Sequence, residues 1–288
     1  MVKLQIWRDR RGQISPLRIA ALALLLLPLA LAAWNAEAIA AGARPVNDLI
    51  HRAGFWALML LLITLAITPL RRISRFGQLV DIRRMLGVGA FCYAALHISL
   101  YVVDQVFDLG KVASEIVHRV YLMIGFTALT GLAVLAMTST DGMVRRLGGS
   151  RWQSLHQIVY VIGFLALIHY FQQTKADVTV PTFAAGLFLW LFAYRLVAWW
   201  QEASELSTVT LIVMSVAVSV LTFVGEAVGI GIAYHVSPMR VLEVAFDFDL
   251  AVRPGWRVLG AGLVVVAIDF ACARWQGRPL RMRTAAAE

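Results

Sequence analysis

The chain has 288 residues, 60% of them hydrophobic and only 15% charged, with a mean hydropathy of +0.75 and a net charge of +9. Soluble domains are nearer about 45–50% apolar, so this composition excludes an ordinary soluble enzyme and leaves little length outside membrane spans. Nor does the charge point to nucleic acid, because the basic residues lie in short segments between apolar runs, where retention of positive charge on the cytoplasmic side accounts for them. Cys92 lies in the middle of an apolar run and Cys272 near the end of another. The sequence has no C-x-x-C-H motif for covalent cofactor attachment and no disulfide framework.

In chain order, Lys3, Arg8, Arg10, Arg11 and Arg18 make a basic start, and Leu17 to about Ala41 is apolar and long enough to cross a bilayer. A cleaved signal peptide is the competing reading, given the Ala-rich stretch around Asn35–Gly42. A second span runs from Ala53 to Leu70, introduced by His51 and closed by Pro69; Arg71, Arg72, Arg75, Arg83 and Arg84 follow. The third span, Met85 to Val103, carries His97. A loop with Asp104, Asp108, Lys111, Glu115 and His118 leads to the fourth, Val120 to Met137. Arg145, Arg146 and Arg151 precede the fifth, His156 to Gln173, and the sixth runs from Val180 to about Trp199. Two more follow, Ser207 to about His235 and Gly255 to about Trp275.

The fold class is therefore an all-α polytopic membrane protein, a bundle of about eight transmembrane helices. Eight spans put both termini on one side. Of the 26 Lys and Arg, 18 fall on the side of the termini and 8 opposite, which predicts cytoplasmic termini in a bacterial inner membrane. Trp7, Trp34, Trp152, Trp199, Trp200, Trp256 and Trp275 fall at or near span ends, as interfacial anchors do.

The stretch RWQSLHQIVYVIGFLALIHYFQQ, Arg151 to Gln173, organises the rest. Its two histidines, His156 and His169, enclose no charged residue and lie about 19.5 Å apart along a helix, one toward each membrane face. Ionisable groups are costly there, which makes them functional candidates. A neutral histidine hydrogen-bonded to a neighbouring helix is the bland alternative. On the third span, parallel to the fifth, His97 lies about 18 Å beyond Met85, nearly level with His169 in the outer half. Two neutral imidazoles on facing helices suit a bis-histidine haem and electron transfer. His51, His118 and His235 sit at span edges and read as interfacial histidines.

His156 has no such partner: the positions at its depth on the third span are Arg83 and Arg84, and Met85 is a poor substitute at the membrane edge. On an ideal helix His156 and His169 are also about 140° apart, so they need not face one neighbour. A haem with an unidentified ligand, a flavin or quinone pocket, and a structural histidine all remain open for His156. Arg83, Arg84 and Arg151 could steer a flavin phosphate, although positive charge retained inside explains them equally well.

The segments TPLRR (Thr68–Arg72), RRMLGVGAFCYAALHISLY (Arg83–Tyr101), TSTDGMVRRLGGSRWQSLHQIVY (Thr138–Tyr160) and LIHY (Leu167–Tyr170), with the lead-in His51–Leu70, resemble the MsrQ (YedZ) family. These are haem-binding membrane subunits of a bacterial periplasmic methionine sulfoxide reductase system, within the ferric reductase-like transmembrane group. The resemblance implies haem b held by His97 and His169 with His156 as a further candidate ligand, FMN as a candidate second cofactor known in the family, and electron delivery to an MsrP-like periplasmic molybdopterin reductase. It covers roughly residues 15–200. The expected organisation is a basic N-terminus over 1–14, a six-helix haem-binding core over 15–200, and a two-helix extension over 201–288, which the family core lacks.

In that extension GEAVGIG (Gly225–Gly231) has a Gly225/Gly229 spacing that permits close helix packing, with Glu226 beside it. Asp269 in the eighth span lies toward the other face and is not paired with Glu226. Between the two spans VLEVAFDFDL (Val241–Leu250) alternates apolar and acidic residues, a strand pattern.

No G-x-G-x-x-G or P-loop follows any span, so the sequence supplies no recognisable nucleotide site and the donor is quinol or a separate flavin reductase. The leading reading is an electron-transfer subunit. A ferric-chelate or quinone reductase using the same haem, and a proton-coupled transporter relaying protons through the histidines, Glu226 and Asp269, are the competing classes. Reporter fusions after Glu288 and in the loop at residues 236–253 are expected to report opposite compartments, the former cytoplasmic; a periplasmic C-terminus would mean an odd number of spans.

Overall fold

A computed structural model describes residues 7, 12–174, 177–203, 205–249 and 251–276. The other basic N-terminal residues through Arg11, the arginines beyond residue 276 and Leu250 lie outside the described residues. Among those described, the chain is helical without a strand and carries eight helices long and apolar enough to cross a membrane. In hydrocarbon no water satisfies a bare N–H or C=O, so a span must close its hydrogen bonds within itself.

In order the elements are α1 (Pro16–Trp34), α2 (Ala36–Ala40), α3 (Pro45–Ser74), a 3-10 turn (Gly77–Leu79), α4 (Val80–Asp104), α5 (Leu109–His118) and α6 (Val120–Met137). There follow α7 (Asp141–Leu147), α8 (Gly149–His156), α9 (Val159–Gln173), α10 (Thr179–Trp200), α11 (Thr208–Tyr234), α12 (Pro238–Val244) and α13 (Pro254–Trp275). Polar residues start several of these. Asp108 accepts from Lys111 N at 2.9 Å at the head of α5, Thr140 from Met143 N at 3.2 Å before α7, and Ser207 from Thr210 N at 3.1 Å before α11, each satisfying an orphan donor. Gly148, at φ +79°, makes the turn between α7 and α8.

The expected spans are recovered, with three differences. Pro69 does not close the second span: α3 runs through it to Ser74. The fifth span is not one ideal helix, because α8 ends at His156 and α9 begins at Val159. The ideal-helix rotation between His156 and His169 therefore does not apply. The described part of the alternating stretch, residues 241–249, is not a strand. Pro238 opens α12, which continues to Val244, and Trp256 Nε1 donates to the Ala245 carbonyl at 2.8 Å while Phe246 and Phe248 pack on its ring. A strand there would need a partner edge for its backbone, and a short helix needs none.

The chain forms two compact units, one from Met1–Ile67 with Gln78–His169, the other from Thr68–Gly77 with Tyr170–Glu288. In the first, Leu60, Leu61, Leu62 and Leu65 of α3 and Leu86 and Ala90 of α4 are buried. Tyr93 of α4 donates to the Leu25 carbonyl of α1 at 2.7 Å, and Gly89, where any Cβ would strike Leu25, lets these helices approach.

In the second unit α10, α11 and α13 pack on one another through small residues. A Cβ on Gly186 would meet Thr222 Oγ1 at 2.8 Å, one on Gly255 would meet Phe223 at 2.5 Å, and one on Gly262 would strike Ser215. Trp190 Nε1 donates to Ser215 Oγ at 3.0 Å, and Ser219 Oγ to the Gly255 carbonyl at 2.9 Å. Small residues and short hydrogen bonds hold helices together where lipid offers no hydrophobic drive. The close packing expected at Gly225 and Gly229 is absent: a Cβ on either meets nothing within 4 Å, and the contacts are made by Gly186, Gly255 and Gly262 instead.

Gly262→Leu is therefore expected to destabilise the protein by about 1–3 kcal/mol through overpacking, read as a lower thermal unfolding midpoint in detergent. Gly260→Ala, on the same helix but facing open space, is expected to leave the midpoint unchanged or raise it.

Candidate functional site

The structure brings His97 of α4 and His169 of α9 together. Both are half-buried, their ring centroids are 6.2 Å apart, and the ring planes stand at 85°. Each ring is fixed by a hydrogen bond from Nδ1 to a backbone carbonyl, Ile50 of α3 for His97 and Tyr121 of α6 for His169, at 2.8 Å in both cases. A carbonyl only accepts, so each Nδ1 carries the proton and each Nε2 keeps its lone pair. That is the arrangement a metal-binding imidazole needs.

The two anchors share one construction. The residue four positions after each acceptor, one helical turn on, is a glycine: Gly54 after Ile50 and Gly125 after Tyr121. A Cβ on Gly54 would meet His97 Nδ1 at 3.0 Å, and one on Gly125 would meet His169 Nδ1 at 2.7 Å. The bare Cα thus opens the space through which each ring reaches its carbonyl. Sequence reasoning missed both glycines. Their signal was present, a lone glycine at the histidines' end of each neighbouring span, but only the packing pairs each with its histidine.

Tyr121 is itself tied down. Tyr101 donates to Glu115 at 2.5 Å, and Arg119 donates to Glu115 at 3.0 Å and to the Tyr121 hydroxyl at 3.2 Å. The amphipathic α5 thereby fixes the first turn of α6, which carries the carbonyl holding His169.

The pair fits haem iron by its chemistry. Two metal–imidazole bonds of about 2 Å each, plus the half-width of a ring at either end, amount to about the separation observed. Among the described residues no group of three or more His, Cys, Asp or Glu could hold a metal ion. Two imidazole nitrogens are a donor set that suits haem, whose macrocycle supplies the other donors.

His156 lies elsewhere, in a cavity of about 500 Å³ within the first unit. Its ring stacks on Trp152 at 3.9 Å, its Nδ1 is 3.0 Å from the Trp152 carbonyl, and its Nε2 is 3.3 Å from Ser139 Oγ. Trp152 is held in turn by donating to the Thr138 carbonyl at 2.9 Å. The same cavity is lined by Arg18, Arg83, Arg84, Asp81 and Asp141, with Arg84 paired to Asp141. Arg151 is exposed on α8 and is not among the lining residues. Arg18, Trp152 and Asp141 were not singled out as site residues from sequence. Trp152, one helical turn before His156, was the legible one.

The edge histidines serve local roles. His51 Nδ1 bonds the Asn47 carbonyl and His118 Nδ1 the Ser114 carbonyl, at 2.8 and 2.7 Å, while His235 caps α11 in the left-handed conformation.

Residues 53–167 match the family described as ferric reductase like transmembrane component. The chain is also similar to curated proteins named protein-methionine-sulfoxide reductase haem-binding subunit MsrQ. That of Herminiimonas arsenicoxydans is 42% identical over 167 residues, 57% of this chain and 77% of the relative. That of Xanthomonas campestris pv. campestris strain 8004 is 42% identical over 193 residues, 65% and 87% of the two chains. That of Rhodospirillum rubrum is 42% identical over 194 residues, 66% and 89%. No solved structure matches.

In cofactor-free protein with 15N-labelled histidine, His97 and His169 are expected to show the Nδ1–H tautomer with an unprotonated Nε2 at neutral pH. An Nε2–H signal at either would break the assignment.

Proposed function

The chain belongs to the MsrQ family of haem-binding subunits, and from that premise we propose that it is a haem b membrane electron-transfer subunit serving a periplasmic methionine sulfoxide reductase. The observation that carries the reading is the His97–His169 pair, two anchored imidazoles 6.2 Å apart with both Nε2 atoms free to coordinate. When bound between them, haem supplies a one-electron couple. The protein contributes rigidity. Each of the two imidazoles is held by a carbonyl and closed in by a helix bearing glycine, so little would reorganise when the charge on a bound haem changes. Half-burial keeps the pair from open water and raises the weight of every nearby dipole.

A second cofactor belongs in the cavity at His156. Arg83 and Arg84 there supply positive charge suited to the phosphate of FMN or the propionates of a second haem, and Trp152 offers an aromatic face. Arg151 adds positive charge on the helix that carries His156. The donor is quinol or a flavin reductase, the acceptor an MsrP-like molybdopterin enzyme. The Lys/Arg asymmetry supports an orientation with the His97–His169 pair toward the periplasm and both termini in the cytoplasm of a bacterial inner membrane, an orientation that would shorten transfer to a periplasmic partner.

His97→Ala and His169→Ala are each expected to abolish most low-spin b-type absorbance per mole of inserted protein. Gly125→Val is expected to lower it by displacing the His169 ring, while Gly110→Val, in α5, leaves it unchanged. Full haem content in both histidine variants would end the pairing. The partner is tested by mixing reduced protein with the periplasmic reductase and a methionine sulfoxide and following haem reoxidation. Reoxidation requiring both, and lost in His169→Ala, supports the reading. Reoxidation by ferric chelate but not by that pair would make the protein a metal reductase, the activity to which its matching family model points.

A further inference from the structure

The second unit contains a slot that haem transfer does not use. It has a volume of about 460 Å³, within the range of ligand pockets of about 300–1,000 Å³, and lies between α10 and α11. Its α10 wall descends from Val178, just before the helix starts, to Leu189, and its α11 wall from Tyr234, the helix end, to Leu221. These two walls span twelve and fourteen residues, eleven and thirteen helical steps, and correspond to about 16 and 20 Å of rise on antiparallel helices. One continuous slot therefore runs from the helix ends into the apolar depth. Gly225 and Gly229 open its α11 wall, since a Cβ on either meets nothing within 4 Å. These are the glycines that the helix packing left unused.

The charged chemistry lies part-way along the α11 wall, five positions after Leu221 and eight before Tyr234. Glu226 lines the slot and is only 4% exposed. Its Oε1 stands 3.1 Å from Arg253 Nη2, yet neither Glu226 Oε1 nor Arg253 Nε has a hydrogen-bond partner, although both atoms are buried. Buried charged atoms left this way are costly, and each asks for a complement: a donor for the carboxylate, an acceptor for the guanidinium. Asp177 and Arg257 are close enough to act electrostatically on Glu226. The four charges cancel, so a neutral zwitterion suits the site better than an anion.

We propose that this slot binds one aminophospholipid of the phosphatidylethanolamine class, with an acyl chain between α10 and α11, the ammonium on Glu226 and the phosphate facing Arg253. The ammonium supplies N–H donors and the phosphate an acceptor, which are the two groups missing. A choline head has the same net charge and the same phosphate but no N–H. A glycerol head adds no cation. The headgroup contact is thus a selectivity filter, and the slot provides the apolar grip.

The test uses the full-length protein in nanodiscs of phosphatidylglycerol containing equal minor fractions of phosphatidylethanolamine and phosphatidylcholine with identical acyl chains. Retained lipid is read by native mass spectrometry. Phosphatidylethanolamine is expected to be retained about tenfold over phosphatidylcholine, the factor that one charge-assisted hydrogen bond implies. Glu226→Gln is expected to remove most of that preference. Gly229→Leu adds bulk to the slot wall at a position where a Cβ meets nothing within 4 Å, favours the helix, and is expected to abolish retention of both lipids while circular dichroism stays unchanged. Should Glu226→Gln fail to fold, Gly229→Leu and the wild-type headgroup preference decide the matter. Equal retention of the two lipids, preference for phosphatidylglycerol, or wild-type retention by Gly229→Leu overturns the proposal.

Discussion

Every backbone N–H and C=O of this chain that enters hydrocarbon must find its partner within the protein, and most of the structure follows from that constraint. It explains why the described chain is all helix, and why hydroxyls inside spans turn back on their own backbone. Thr64 donates to Leu60, Thr127 to Met123, Thr130 to Phe126 and Thr222 to Val218, at 2.7 to 2.9 Å. It also explains why an imidazole in a span is not simply a charge to be hidden. Each of His97 and His169 spends one nitrogen on a carbonyl and keeps the other. A ring secured at Nδ1 has its tautomer and orientation set before any metal arrives, which is what an electron-transfer ligand requires.

The same constraint makes glycine an instrument of both units, in two different ways. At Gly54 and Gly125 the missing Cβ admits a histidine ring to a carbonyl that already belongs to a helix. At Gly186, Gly255 and Gly262 it admits a neighbouring helix, so that serine and tryptophan side chains can bond across the gap. Gly225 and Gly229 admit neither, and the space they leave belongs to the slot beside Glu226. Spacing between small residues predicts that something can come close. What comes close depends on the neighbour.

The two histidine environments differ for a physical reason. The His97–His169 pair is made by two helices facing each other, with no charged residue among the groups that anchor the rings. His156 instead shares its cavity with arginines and aspartates, at the point where α8 gives way to α9. The first presents two neighbouring imidazoles, each anchored through Nδ1. The second is arranged as a charged pocket with one imidazole and one indole in its wall.

How much of this was legible in the sequence depends on whether the governing interaction is local. The number of spans, their approximate limits and the near-equal depth of His97 and His169 all followed from helix rise and apolar run length, because a helix in lipid is built from contacts within four residues. The alternation in the described residues 241–249 misled, since period two describes a face and not a backbone: with no strand among the described residues to pair with, the segment began as a helix at Pro238 and packed its phenylalanines on Trp256. The glycine opposite each histidine, the clustering of Arg18, Arg84 and Asp141 around Trp152 and His156, and the meeting of Glu226 with Arg253 were settled only by tertiary structure. Each joins residues from separate helices, and a helix's sequence fixes which residues share its face without fixing which helix that face will meet.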